Sequence, residues 1–228
     1  MLIIGLDDTD TLETRGTGHL ARQIAADLAA DYPVRGVVRH QLLRDARVPC
    51  TKNNSSAAIL VDGAGPADQQ GVFERVKAFM LANFIPGSDP GLCCAAAVPA
   101  AITEFGRLAQ KALVEQADAR RLAAEHGLPL IGLGGTEGGV IGALAAVGLA
   151  ASGEDGRYVL VGRLRELAGL QPVPAVLAAG IAAVRTMHGN AVAEGFVQTD
   201  KLRPARRGGR PVAVVDWAED HWAPLKLD

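Results

Sequence analysis

The sequence predicts a mixed α/β (α+β) protein: a βαββαβ N-terminal part followed by a mainly helical second lobe with a few short strands. Three observations carry this. Short apolar runs rich in Ile and Val alternate with amphipathic stretches up to about residue 98. Ala and Leu, strong helix formers, then dominate from Ala101 to His126 and from Val140 to Ala151. Finally, 49% of the 228 residues are hydrophobic, enough to bury a large shared core.

The elements follow in order. Leu2 to Leu6, with two consecutive Ile, reads as a buried strand. Leu20, Ile24 and Leu28 recur every four residues, giving a helix over Thr17 to Ala30 that Pro33 stops. Val34 to Leu43 and Ser56 to Val61 are strand-like and flank a polar loop. A helix over Ala67 to Phe84 shows Val72, Val76, Phe79, Met80 and Phe84 on one face, and Leu92 to Val98 completes the series as a strand. This βαββαβ order is ferredoxin-like, a statement about fold and not about chemistry. Beyond it come a strand at Tyr158 to Gly162, a helix from Pro174 to Met187, and a strand at Val212 to Val215. The expected units are 1–98, 99–200 and a basic C-terminal segment, 201–228.

Composition excludes several classes. With 23 basic and 25 acidic residues, the net charge of -2 gives no global polyanion-binding signature. Three cysteines, Cys50, Cys93 and Cys94, support neither a four-ligand zinc site nor a disulfide framework. No apolar run is long enough for a signal peptide or a membrane span, so a cytoplasmic protein without membrane contact is expected.

Asp7-Asp8-Thr9-Asp10 closes the first strand. Three carboxylates within four residues repel one another unless a proton or cation neutralises them, and Mg²⁺ arriving with phosphate oxygens is the natural neutraliser. The alternative is a charged turn bonding its own backbone. Gly16-Thr17-Gly18-His19 then precedes the first helix, where flanking glycines and a helix N-terminus can receive phosphate. Thr17 has two readings, a helix N-cap or a hydroxyl that faces a phosphate. The loop Pro49 to Ser56, with Lys52 and Asn53, suits a phosphate, a sugar or plain solvent. Gly132, Gly134, Gly135, Gly138 and Gly139 precede the helix at Val140 and resemble a phosphate cradle, although no P-loop Lys-Ser/Thr follows. Lys201, Arg203, Arg206, Arg207 and Arg210 form either a polyanion clamp or a solvated tail.

In order along the chain, these segments resemble the archaeal 2-agmatinylcytidine synthetases, which use ATP to attach agmatine to a cytidine in an isoleucine tRNA anticodon. Ile4-Gly5-Leu6-Asp7-Asp8-Thr9-Asp10 is similar to that family's Gly-Ile-Asp-Asp-Thr-Asp opening, and Thr17 falls at the first Thr of its Cys-Thr-Thr turn. Val48-Pro49, Asp89-Pro90-Gly91 and Ile141 to Gly148 resemble its Ile-Pro, Asn-Pro-Gly and Ile-Gly-Ala-Leu-Ala-Ala-Ile-Gly segments. The resemblance spans roughly residues 1 to 216. It implies ATP and Mg²⁺ as cofactors, Asp7, Asp8 and Asp10 as metal ligands, and Asp7, Asp8, Asp10 and Thr17 as catalytic residues. Gly16, Gly18, Lys52, Asn53, Gly135, Gly138 and Gly139 would bind the nucleotide.

The chain also departs from that family. Its Lys-Thr-Arg-Gly-Asn-Gly loop is Thr51 to Ser56 here, without the Arg, and Glu137 stands where a cation is found. The three cysteines allow no zinc ribbon, and the sequence ends where the family continues into an OB-fold. A smaller acceptor than tRNA is therefore expected, with a homodimer possible. Two alternatives stand beside it. Asp8-Thr9-Asp10-Thr11 also fits the start of haloacid-dehalogenase-type phosphatases, with Lys201, Asp216 and Asp220 as later partners; and a non-catalytic nucleotide or RNA binder could use the basic segment.

Overall fold

The computed structural model describes residues 1–51 and 53–227. The first half contains β1 (Leu2–Asp7), α1 (Thr17–Leu28), β2 (Val34–Gln41), β3 (Ser55–Val61), α2 (Gln69–Ala82) and β4 (Gly91–Ala95). Each lies within a few residues of its expected span. β1 sits between β3 and β4, with β2 beyond β3, and every neighbouring pair is antiparallel. Both sheet faces are covered, which is why these strands read as unbroken apolar runs. Leu2, Ile4, Leu6, Ile59 and Val61 pack with Ile24 and Leu28 of α1 and Val72 and Val76 of α2. Ile3, Ala58 and Leu60 face the opposite layer.

That layer consists of α3 (Ala100–Ala109), α4 (Gln116–Glu125) and α5 (Val140–Ser152). α5 runs against β1 almost backbone to backbone. A Cβ on Gly5 would lie 2.0 Å from the Ala143 carbonyl oxygen, and one on Gly148 would lie 2.0 Å from that of Ile102 in α3. The small residues of Ile141 to Gly148 thus let three elements close on one another; larger side chains would hold them apart. Thr103 donates its hydroxyl to the Gly148 carbonyl at 3.1 Å, fixing the crossing.

The remainder is richer in strand than the sequence suggests. β5 (Leu130–Gly132) and β6 (Arg157–Leu160) join the sheet at β4 and β2, and β7 (Leu170–Pro172), β8 (Ala183–Thr186), β9 (Phe196–Gln198), β10 (Ala205–Arg207), β11 (Arg210–Ala218) and β12 (His221–Pro224) extend it. The result, among the described residues, is one mostly antiparallel twelve-stranded sheet, whose ladder runs from the first half into the last segment through β2, β6 and β10. The helix expected from Pro174 to Met187 is only α6 (Val173–Ala178), because Gly180 takes a φ of 107° and β8 then pairs in parallel with β11. Helix formers alone could not report that pairing.

The basic C-terminal cluster is not a solvated tail. β10 and β11 form a hairpin, and Arg206 is only 2% exposed. Its guanidinium donates to the Ala150 carbonyl at the end of α5 (3.1 Å), the Tyr158 hydroxyl (2.7 Å) and the Gly209 carbonyl (2.8 Å). No carboxylate is among these partners; the negative end of α5 and two further oxygens stabilise the buried charge. Among the described residues, no helix is long and apolar enough to cross a membrane.

Candidate functional site

The end of β1 is where the layers meet. Asp7 pairs in register with Gly91 of β4, and a Cβ on Gly91 would lie 2.1 Å from the Gly139 carbonyl. The glycine stretch therefore drops the N-terminus of α5 onto the strand ends, with the Gly139 amide donating to the Asp89 carbonyl at 3.0 Å. One turn into α5, a Cβ on Gly142 would fall 1.7 Å from Asp7 Oδ2. Asp7 thus lies directly against the first turn of that helix.

Burial, and then the neighbouring Asp8, push the Asp7 carboxyl up to about 7. Asp7 keeps a partly exposed edge while protein surrounds its carboxylate. The positive end of α5 favours the anion by at most about 2 kcal/mol. Desolvation and repulsion win. Asp8 follows, raised to about 6 by burial and by the charges of Asp89 and Asp10. Its φ of 51° is a left-handed conformation that Asp tolerates better than most residues. Here the chain turns out of the strand, and the carboxylates crowd.

Asp10 behaves differently. Its Oδ1 accepts the Thr17 amide at 3.0 Å and the Thr17 hydroxyl at 3.1 Å, while Oδ2 accepts the Thr51 hydroxyl at 3.1 Å. The N-cap of α1 is Gly16, without a side-chain cap, so the capping role expected of Thr17 belongs to Asp10 acting from seven residues upstream. Thr17 is buried, and its oxygen also accepts the Thr9 amide at 3.3 Å. Its hydroxyl is thereby held in one orientation on Asp10.

These groups line a cavity of about 290 Å³ that also includes Asn53, Thr51, Asp89, Thr136, Gly138 and Gly139. Leu42, Leu43, Val48, Pro49, Leu113 and Ile141 supply the apolar part of its lining. A second cavity, of about 300 Å³, adjoins it. The two share Asp10, Thr17, Thr51, Asn53 and Ser55, and Gly16, Gly18, Arg39, Arg157 and Lys226 line the far side. Gly135 lines neither; its φ of 59° and missing side chain let Asp89 pack over it. Lys52 lies outside the described residues.

The structure adds residues that local sequence could not single out. Asp89 reaches the site only through pairing of β1 with β4. It accepts the Thr136 amide at 3.0 Å and the Thr136 hydroxyl, while Gln116 Nε2 donates to the Thr136 carbonyl at 2.9 Å. Its one visible signal is the Asp-Pro-Gly turn. The phosphatase alternative loses its partners: Lys201, Asp216 and Asp220 are exposed and line neither cavity with Asp8. Burial pushes the Cys93 and Cys94 thiols up, so neither is a poised nucleophile.

The donor set can be tested against a divalent cation. Among the described residues, no three or more His, Cys, Asp or Glu side chains converge as a ready-made metal site. Asp10 already spends both oxygens on hydroxyls and an amide. Asp7 and Asp8, crowded and short of counter-charge, are the oxygens that fit a hard cation, provided a ligand completes its shell.

No protein-family model matches the chain, and no curated protein matches it. Solved structures do. TiaS in complex with an isoleucine tRNA and ATP superposes with a TM-score of 0.56 at 22% identity, covering 64% of this chain and 36% of that one. A tRNA fluorescent labelling enzyme gives 0.56 at 22% identity, over 64% and 35%. Ligand-free TiaS, a tRNA agmatidine synthetase, gives 0.54 at 21% identity, over 64% and 35%. The chain therefore spans about a third of the length of these structures, and what it shares with them is a TiaS-like fold.

Proposed function

We propose that this chain is an ATP- and Mg²⁺-dependent enzyme of synthetase type, which activates an acceptor oxygen by phosphoryl transfer. The observation that carries the reading is the convergence of Asp7, Asp8 and Asp89 with Gly138 and Gly139 at one end of a single cavity. Likeness of fold to TiaS, which has been crystallised with ATP, supports it. The order β4-β1-β3-β2 fits the ferredoxin-like frame expected for the N-terminal part.

Asp7 and Asp8 would hold the magnesium, which supplies charge neutralisation at phosphate oxygens. Gly138 and Gly139, at the start of α5, line the cavity without side chains and leave room for phosphate beside the helix end, and the apolar wall from Leu42 to Pro49 suits a base. Thr17, with its hydroxyl donated to Asp10, pairs a hydroxyl with a proton acceptor at 3.1 Å, the spacing that nucleophile activation needs. Asp89, tied to Thr136, closes the site beside Asp8.

The experiment is calorimetric titration of Mg·AMPPNP into the wild type and into Asp8→Asn. Micromolar binding that needs Mg²⁺ and weakens at least about tenfold in the variant is expected. No binding by the wild type at millimolar nucleotide would sink the reading.

A further inference from the structure

Ion pairing on this protein is uneven. Arg35, Arg47, Arg75, Arg120 and Arg121 each meet a carboxylate. Arg15, Arg22, Arg165 and Arg203 meet none among the described residues, although they gather on one face. Arg22 Nη1 donates to the Gly18 carbonyl at 2.7 Å, and a Cβ on Gly18 would lie 3.9 Å from both that nitrogen and the Val159 side chain. Arg165 Nη1 reaches the Val159 carbonyl at 3.3 Å. Arg203 lies beside β6, where Ala205 pairs with Arg157 and the Tyr158 amide donates to the Pro204 carbonyl at 2.7 Å.

The crowding is close enough to be felt. Burial, and then Arg165, Arg203 and Arg15, pull the Arg22 guanidinium below its ordinary range, and Arg203 responds in the same way to burial, Arg165 and Arg157. Half-buried cations that destabilise one another call for an anion. Arg15 and Arg22 line a depression that shares Thr14, Gly16 and Gly18 with the second cavity, into which Arg39, Arg157 and Lys226 extend at the N-terminus of the twelve-residue α1. In a protein with net charge -2, this concentration is local.

We propose that this basic cavity binds the phosphate group of a small phosphorylated acceptor, a phosphate monoester of sugar-phosphate size, and presents it across the Asp10–Thr17 wall. The assignment of acceptor rests on the ATP-dependent reading of the adjoining cavity; the phosphate site itself does not. At about 300 Å³ the cavity lies at the small end of ligand pockets, which fits a monoester. Planar guanidinium groups and a helix N-terminus are the partners that a phosphate dianion takes most readily.

The test compares ribose 5-phosphate, ribose and inorganic phosphate by calorimetry on the full chain, with and without Mg·AMPPNP. The ester should bind at least about tenfold tighter than ribose, and Arg22→Gln and Lys226→Gln should each weaken it by about tenfold. Nucleotide affinity should change less than about twofold in both variants, which separates this site from the acidic one. Lys226 lines the cavity and is exposed, so its variant remains informative if Arg22→Gln fails to fold. Equal binding of ester and sugar, or an ester affinity indifferent to both variants, would overturn the proposal. So would tight, steeply salt-dependent binding of a twelve-nucleotide RNA without ester binding, which would mark a nucleic-acid surface instead. Phosphate displacing the ester at equal affinity would reduce the site to a bare anion hole and refute the acceptor. Ester binding without nucleotide binding would support the phosphate site and remove the function proposed for its neighbour.

Discussion

Replacing Asp7 by Asn should make the ligand-free protein more stable at pH 8 and leave it nearly unchanged at pH 4.5. Asp7 titrates near 7 in the folded chain and near 3.8 when unfolded. Between those values the folded state keeps a proton that the unfolded state has lost, so wild-type stability falls as pH rises from about 4 to about 7 and then levels off. That gap corresponds to roughly 4 kcal/mol as an upper bound. Water at the exposed edge and the loss of the Asp8 amide contact reduce this to about 1–2 kcal/mol, or roughly 2–8 °C in Tm for a chain of this size. Thermal unfolding followed by circular dichroism in metal-free buffer from pH 4.5 to 8 measures it directly. Parallel pH profiles for the two proteins would refute the reasoning. Mg·AMPPNP should reverse the ranking, raising the Tm of the wild type and not of the variant.

Gly142→Ala would ordinarily favour a helix by about 1 kcal/mol. Here its methyl lands on Asp7 Oδ2, so denaturant melts should show destabilisation and nucleotide titrations a loss of binding. Arg206→Leu removes the charged donor from the Tyr158 hydroxyl and the carbonyls of Ala150 and Gly209, leaving them the Tyr158–Gly209 bond and the Gly153 amide, and should cost about 1–3 kcal/mol in urea unfolding. At Asp8, Asn should preserve the backbone while Val loses about 1–2 kcal/mol more in the same melts, because a β-branched residue resists a φ of 51°. Thr51→Val removes one hydrogen bond to Asp10 and should weaken binding in both cavities while lowering Tm by only a few degrees.

The first six elements are legible because each buries a face whose period shows in the sequence: Ile24 and Leu28 on α1, unbroken apolar runs on β1 and β3. The later strands are three or four residues long for the most part, and they are held by partners far along the chain. β8 shows this best, since Ala183 to Thr186 has no strong strand character and owes its conformation to β11. At the site, Asp7, Asp8 and Asp10 stand out by their crowding, yet their division of labour does not. Asp10 as the distal cap of α1 depends on loop closure, and Asp89 depends on a strand register. The burial of Arg206 escapes the sequence for the same reason: charge is visible there, and the helix end that satisfies it is not.

The carboxylate of Asp10 lies between the two cavities, bonded on one oxygen to α1 and on the other to the loop before β3. A ligand on either side would meet the same bonded group of Asp10, Thr17 and Thr51. If occupancy of one chamber shifts that group, affinity in the other changes by the same factor in both directions. An obligatory order of substrate addition would be the kinetic face of that reciprocity. A single aspartate would serve as both latch and messenger.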